Sequence, residues 1–210
     1  MKDLVVLIPF KARHQKSRLS EVMTPPQRRK LSEAMLLDVL DSFKSVGMLR
    51  ACYLVTPDSD AVALAKEAGA SGLVEPYDRG VNAAVALGMA DLPQAEEVMV
   101  VPSDLPLLRK SEIKTALSYK SQGMDVVISP SRGFDGTNLL LFSKSRPIDL
   151  SYDKDSFWNH VQDSAARGHH LAVYTGAGFI FDIDSPTDLA DLASSRAKKR
   201  SVSLARKALS

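Results

Sequence analysis

A single α/β domain built on a mostly parallel sheet is what this chain predicts, and three observations carry the prediction. Apolar strand-like runs alternate with segments that have helical spacing or caps. The runs are separated by crossovers of a dozen or more residues, the length a parallel connection requires. The run Val98–Val101 shows no polar alternation, as befits a central strand covered on both faces. At 210 residues, 45% of them hydrophobic and 25% charged, the chain has enough apolar surface for one sizeable core.

In order, DLVVLI (3–8) is a first strand, followed by the basic loop PFKARHQKSRLS. Thr24 and Gln27 stand at capping-box spacing with Pro25 at the first helical position, so a helix begins there and runs to about Val46. Its apolar stripe is Leu31, Met35, Val39 and Phe43. ACYLVT (51–56) is a second strand, DSDAVALAKEAG a helix stopped by Gly69, and Leu73–Glu75 a short third strand. The loop PYDRG leads into the helical pattern VNAAVALGMA. After 98–101 come a helix near 111–121 and the strand DVVIS (125–129). NLLLF (138–142) follows so closely that it should pair with DVVIS as a hairpin at the sheet's edge, which makes the sheet mixed. A helix over 156–167, a strand at LAVYT and the segment FIFDIDSPTDLADL close the domain. Ser185 is there an N-cap, with Pro186 at the first helical position and Asp188 in the first turn. The domain is taken to span 1–195. The tail 196–210, with six Lys or Arg in 15 residues, reads as a solvated helix end or frayed terminus.

Composition narrows the function. A formal charge of +2 and no RNP-type aromatic motif give no support for a nucleic-acid partner. The lone cysteine, Cys52, leaves no intramolecular disulfide and fits a reducing cytosol as a packing residue. The apolar run before Pro9 is too short for a signal segment or a membrane span, so a soluble cytoplasmic protein is expected.

The chemistry concentrates at strand ends. Lys11, Arg13, Lys16 and Arg18 crowd into eight residues directly after the first strand, where four cations repel one another unless an anion neutralises them. A polyphosphate is the economical partner, although the loop lacks the G-x-x-x-x-G-K-[ST] of a P-loop. Asp104 falls just past the strand 98–101, where open α/β sheets bind ligands. Asp182 and Asp184 end what reads as another strand, FDIDSP, and strand periodicity puts them on the same side. Carboxylates from two strand ends suit Mg²⁺, which takes one or two carboxylates and completes its shell with phosphate and water. Asp184, nearer the loop edge, is the favoured ligand. Cations on phosphate with a bridging metal imply phosphoryl or nucleotidyl transfer by positioning and charge neutralisation. His14, His160, His169 and His170 lack metalloprotease spacing and read as surface or packing residues, His160 remaining within reach of a substrate.

IPFKARHQKSRLS, RGVNAAVA, VVPSDLPLL, DGTNLLLF, DSFWNH and FDIDSPTDLADL, in this order over roughly 3–193, resemble the 2-phospho-L-lactate guanylyltransferases of deazaflavin coenzyme F-420 biosynthesis. The resemblance implies a Rossmann-like, GT-A-type nucleotidyltransferase fold, and a reaction of GTP with 2-phospho-L-lactate that gives lactyl-2-diphospho-5'-guanosine and pyrophosphate. It further implies that Lys11, Lys16 and Arg18 hold the triphosphate and that Gly80 and Asn82 contact the nucleotide. Asp104 and Asp184 would bind Mg²⁺, and the acceptor phosphate would lie near Thr137 and Ser156. One departure bears on the acceptor: relatives commonly have FGxxSF where this chain has YDKDSF, so Asp153 replaces a glycine. Alternatives are a nucleotidyltransferase acting on phosphoenolpyruvate, a sugar phosphate or a molybdopterin, and a non-catalytic nucleotide-binding domain. NLLLF, if at the sheet edge, would also suit a homodimer contact.

Overall fold

The unbroken apolar run of the first strand, β1 (Leu4–Pro9), is explained by the two faces it serves. Leu4, Val6 and Ile8 enter one core; Val5 and Leu7 enter a second on the opposite face. The computed structural model describes residues 4–11, 16–92 and 94–209, so Arg13 and His14 of the basic loop lie outside the described residues. The elements that follow are α1 (Pro25–Lys44), β2 (Cys52–Thr56), α2 (Ser59–Ala68), β3 (Ser71–Val74), α3 (Val81–Asp91) and β4 (Glu97–Val100). Then come α4 (Lys110–Ser121), β5 (Val126–Pro130), β6 (Thr137–Ser143), α5 (Ser156–Ala166), β7 (Leu171–Val173), α6 (Ala177–Ile180), α7 (Pro186–Ser194) and α8 (Arg200–Leu209).

The strands form one sheet in the order β3-β2-β1-β4-β6-β5-β7, in which β6 alone runs antiparallel to its neighbours. Helices α1, α2 and α4 cover one face, and α3 and α5 the other. From β1 the chain builds outward through β2 to β3, then returns to place β4 on the other side of β1. The order therefore reverses between β1 and β4, and the crevice beyond their carboxyl ends is where such sheets bind ligands. Among the described residues, no helix is long and apolar enough to cross a membrane.

Local signals behave as expected at most helix ends. The Thr24 N–H donates to Gln27 Oε1 at 2.8 Å ahead of Pro25, and Gly69 ends α2 in the left-handed region at φ 97°. Ser185 caps α7 reciprocally with Asp188.

Four expectations are corrected. NLLLF does pair with β5 as a hairpin, but β6 is inserted between β4 and β5, and Leu139–Phe142 are fully buried. Since β3 and β7 are the edges, this segment offers no dimer surface. The third strand begins two residues earlier than expected, at Ser71. FDIDSP is not a strand: residues 181–185 are an irregular link between α6 and α7, so strand periodicity does not govern Asp182 and Asp184. The basic tail is neither frayed nor simply solvated. It folds as α8 against α1 and α7, with Ser201, Val202 and Ala205 buried. Asp38, itself buried, accepts from Arg200 N at 3.1 Å, Ser201 N at 3.0 Å and Ser201 Oγ at 2.6 Å. A carboxylate from α1 thus satisfies orphan amides at the start of α8.

That docking creates a third apolar cluster, joining Leu31 and Met35 of α1 to Leu189 and Leu192 of α7 and to Val202 of α8. Leu19 and Ile183 are sealed into it. They anchor the two loops that carry Lys16 and Asp184.

Candidate active site

A cleft of about 1020 Å³ opens beyond the carboxyl ends of β1 and β4, large enough for a nucleotide together with a small acceptor. Lys11, Lys16, Arg18, Asp104, Asp182 and Asp184 line one part of it. Gly80, Thr137, Asp153 and Ser156 line the rest.

Its electrostatic centre is Lys16. The ammonium donates to Asp104 Oδ2 at 2.5 Å and to Asp184 Oδ1 at 2.7 Å, with only 10% of the side chain exposed. Burial alone would lower its pKa; the two carboxylates outweigh burial and raise it, so the group stays charged. Lys16 also has a left-handed backbone, φ 51°, which costs a non-glycine residue roughly 1 kcal/mol and is held by the short turn Ser17–Leu19 packed through Leu19. Asp184 is buried enough to raise its pKa, but Lys16, then Arg18 and Lys11, bring it below the usual carboxylate range. Arg18 reaches to 3.9 Å from Asp184 with its guanidinium largely exposed to the cleft.

Asp104 is fixed by the strand it follows: Val101 N donates to Leu7 O, and Ile183 N to Asp104 O at 3.3 Å. The second contact ties the β4 loop to the Asp182–Asp184 link. Asp182, which the sequence reading placed behind Asp184, lines the same cleft. Burial, then the neighbouring Asp104 charge, pushes its pKa up to about 6. Asn138 donates to Asp182 Oδ1 at 3.1 Å and to Phe179 O at 2.8 Å, a positioning role that sequence reasoning missed. Its only signal was a polar residue opening an otherwise apolar strand.

Across the cleft, Gly80 precedes α3 at φ 88°, a conformation glycine adopts without strain. Asn82 is turned to another task. Its Oδ1 accepts from Tyr152 N at 2.8 Å and its Nδ2 donates to Asp153 Oδ2 at 3.1 Å, so it clamps the loop before α5. Ser156 is the first helical residue of α5, while Asp155 takes the cap position at φ 49°. Ser156 Oγ donates to Thr137 Oγ1 at 3.1 Å, which brings the two expected acceptor residues together on the cleft wall. His160 lies behind them, fully buried, and does not line the cleft.

Among the described residues, no three His, Cys, Asp or Glu groups converge as a metal cage. The pair that does converge, Asp104 and Asp184, nevertheless fits a hard cation that draws most of its ligands from phosphate and water. Both already face one positive charge, and Asp104 Oδ1 is buried without a hydrogen-bond partner, leaving an acceptor to be satisfied.

A sheet that reverses order above a cleft of cations and carboxylates, Asp104 among them at a strand end, suits nucleotidyl transfer. A Desulfovibrio desulfuricans G20 crystal structure described as a nucleotide-diphospho-sugar transferase matches with a TM-score of 0.76 at 18% identity, covering 97% of this chain and 94% of that one. The chain belongs to the family described as guanylyl transferase CofC like, whose model matches residues 4–208. Among curated relatives, the 2-phospho-L-lactate guanylyltransferase of Methanocaldococcus vulcanius is 30% identical over 90% of this chain and 84% of its own length. The phosphoenolpyruvate guanylyltransferase of Rubrobacter xylanophilus is 34% identical, covering 92% and 95% respectively. The 3-phospho-D-glycerate guanylyltransferase of Phenylobacterium zucineum is 33% identical, covering 85% and 84%.

Proposed function

We propose that this chain transfers GMP from GTP to the phosphate of a small phosphorylated carboxylic acid, with 2-phospho-L-lactate the first candidate. The products would be lactyl-2-diphospho-5'-guanosine and pyrophosphate, as a cytoplasmic step toward coenzyme F-420. The observation that carries the reading is the Lys16 ammonium held between Asp104 and Asp184 at the sheet's switch point. In the reaction an acceptor phosphate oxygen attacks the α-phosphorus of GTP, and the bond from that phosphorus to the bridging oxygen of pyrophosphate breaks. A phosphate monoester is largely dianionic near neutral pH, its second pKa being about 6, so no strong base is needed. Lys11, Lys16 and Arg18 bind the triphosphate and offset charge on the leaving pyrophosphate. Thr137 and Ser156 hold the acceptor in line for attack, and Gly80 lets the start of α3 approach the nucleotide. Mg²⁺ on Asp104 and Asp184, once nucleotide phosphates draw Lys16 away, would neutralise phosphate charge and orient the α-phosphoryl group.

Asp153 favours a second reading of the acceptor. It lines the cleft at the position where the family resemblance implies a glycine, and with Oδ2 bonded to Asn82 it presents its other oxygen as an acceptor only. A carboxylate there repels a purely anionic substrate and accepts a hydrogen bond from a hydroxyl, which 3-phosphoglycerate has and phosphoenolpyruvate lacks. The test is pyrophosphate release with Mg²⁺ and each of GTP, ATP, CTP and UTP against 2-phospho-L-lactate, phosphoenolpyruvate and 3-phospho-D-glycerate. Release with GTP and phospholactate supports the first reading, and preference for phosphoglycerate that reverses in Asp153→Gly supports the second. Silence with all twelve pairs sinks both.

A further inference from the structure

Behind the wall assigned to the acceptor, hydrogen-bond direction can be counted. Ser151 N donates to His160 Nε2 at 3.0 Å. A backbone amide can only donate, so Nε2 carries the lone pair and, in the neutral ring, Nδ1 carries the proton. Nδ1 lies 3.0 Å from Thr137 Oγ1 and must therefore donate to it. Thr137 and Ser156 share one further hydrogen bond, at 3.1 Å. Two hydroxyls own two protons, and their mutual bond uses one. With His160 donating into the pair, the other proton has to point outward. With the opposite tautomer Thr137 would donate to His160 and Ser156 to Thr137, and the pair would show the cleft only lone pairs, which repel anions.

We infer that His160 is a positioning residue for the acceptor: its tautomer, set by the Ser151 amide, obliges the Thr137–Ser156 pair to present an O–H to the acceptor anion. The inference rests on the acceptor reading above for what the proton binds, but not for the tautomer. Supporting geometry is at hand. His160 is fully buried with the Tyr152 ring edge-on against it at 4.9 Å between centroids, so bulk solvent does not reach the ring to compete for its partners. Burial also lowers its pKa to about 4, partly opposed by Asp163, which keeps the ring neutral at working pH.

Two measurements test this. Long-range proton–nitrogen NMR correlation on the full-length protein labelled at histidine should show the His160 proton on Nδ1 and a bare Nε2. A proton on Nε2 overturns the inference whatever the enzyme's substrate. Steady-state kinetics then compares His160→Gln, which reaches the Ser151 amide but leaves Thr137 without a donor, with His160→Asn, whose amide N–H stands near the position of Nδ1. His160→Gln should raise the acceptor KM by roughly 10–100-fold, the worth of a hydrogen bond to a charged group, with GTP KM and kcat within about twofold of the native enzyme. His160→Asn should restore most of it. Parallel losses in both variants and for both substrates would mark a merely structural histidine and overturn the role. Should either variant fail to fold, the tautomer measured in the native chain still decides. If the native enzyme is silent with every acceptor while Nδ1 carries the proton, the transfer reading fails and the hydroxyl direction stands.

Discussion

Replacing Lys16 with methionine should leave two carboxylates facing each other. Lys16 Nζ is 2.5 Å from Asp104 Oδ2 and 2.7 Å from Asp184 Oδ1, so those oxygens lie within roughly 5 Å of one another, and at an effective dielectric near 20 they repel by about 3 kcal/mol. The Asp184 side chain is 47% exposed, and solvent there lowers the figure to about 2 kcal/mol. Lys16→Met should therefore unfold in urea at pH 7.5 with about 2 kcal/mol less stability than the native chain. A divalent cation provides the complementary arm. Mn²⁺ on the freed carboxylates at a hundred times its Kd would restore about 2.7 kcal/mol, while the native chain, whose lysine competes for the same oxygens, should respond less to Mn²⁺ without nucleotide. The assay is urea denaturation of both proteins with and without Mn²⁺, together with Mn²⁺ binding by electron paramagnetic resonance. A variant as stable as the native chain, or one that Mn²⁺ does not rescue, would refute the placing of Asp104, Asp184 and a cation in one electrostatic unit.

Other substitutions probe separate parts. Asp104→Asn should lower metal-dependent kcat at least about 100-fold with an unchanged circular-dichroism spectrum, and near-native turnover would remove Asp104 from the chemistry. Asp38→Ala strips the cap of α8 and should cost about 1–3 kcal/mol in urea denaturation; a loss below about 0.5 kcal/mol would mean that α8 docks without it. His160 has a folded pKa of about 4 against 6.5 unfolded, so above pH 6.5 it is neutral in both states and its stabilising effect is complete. As pH falls from 6.5 to 4 only the unfolded chain takes up the proton, and stability should drop by about 3 kcal/mol relative to His160→Gln. A flat difference between the two proteins across that range would contradict the buried neutral ring.

What the sequence made legible was local. Thr24-Pro25, Gly69 and Ser185-Pro186 mark helix ends through bonds made within a few residues, and they fall where expected. Asp104 was legible because a carboxylate after an apolar parallel strand has little other reason to be there. The insertion of β6 between β4 and β5 was not, since a hairpin of apolar residues looks the same whether its outer side is open or covered. FDID mimics strand alternation, yet Asp182 and Asp184 reach the cleft because Ile183 between them is sealed into the third core. The tail misled because charge dominates its composition, while its cap, Asp38, stands 163 residues away from Ser201.

That third core makes the site a composite. Asp104 hangs on the sheet, whereas Lys16 and Asp184 hang on Leu19 and Ile183 within the cluster closed by α7 and α8. No residue of α8 lines the cleft, yet its Val202 and Ala205 complete the wall against which Leu31, Met35, Leu189 and Leu192 pack. Deleting residues 196–210 would strand the buried Asp38 carboxylate and uncover that wall, at a cost of about 1.5–3 kcal/mol for Val202 alone. Because the link carrying Asp184 is tied to Asp104 by a single 3.3 Å backbone hydrogen bond from Ile183, loosening the cluster should misalign the charges before it unfolds the sheet. The truncated chain should therefore lose kcat while retaining the sheet's circular-dichroism signature, even though every cleft residue is present. Full activity with a native urea midpoint would show that β1 and β4 alone hold Lys16 and both carboxylates in register, and that α8 is an appendage after all.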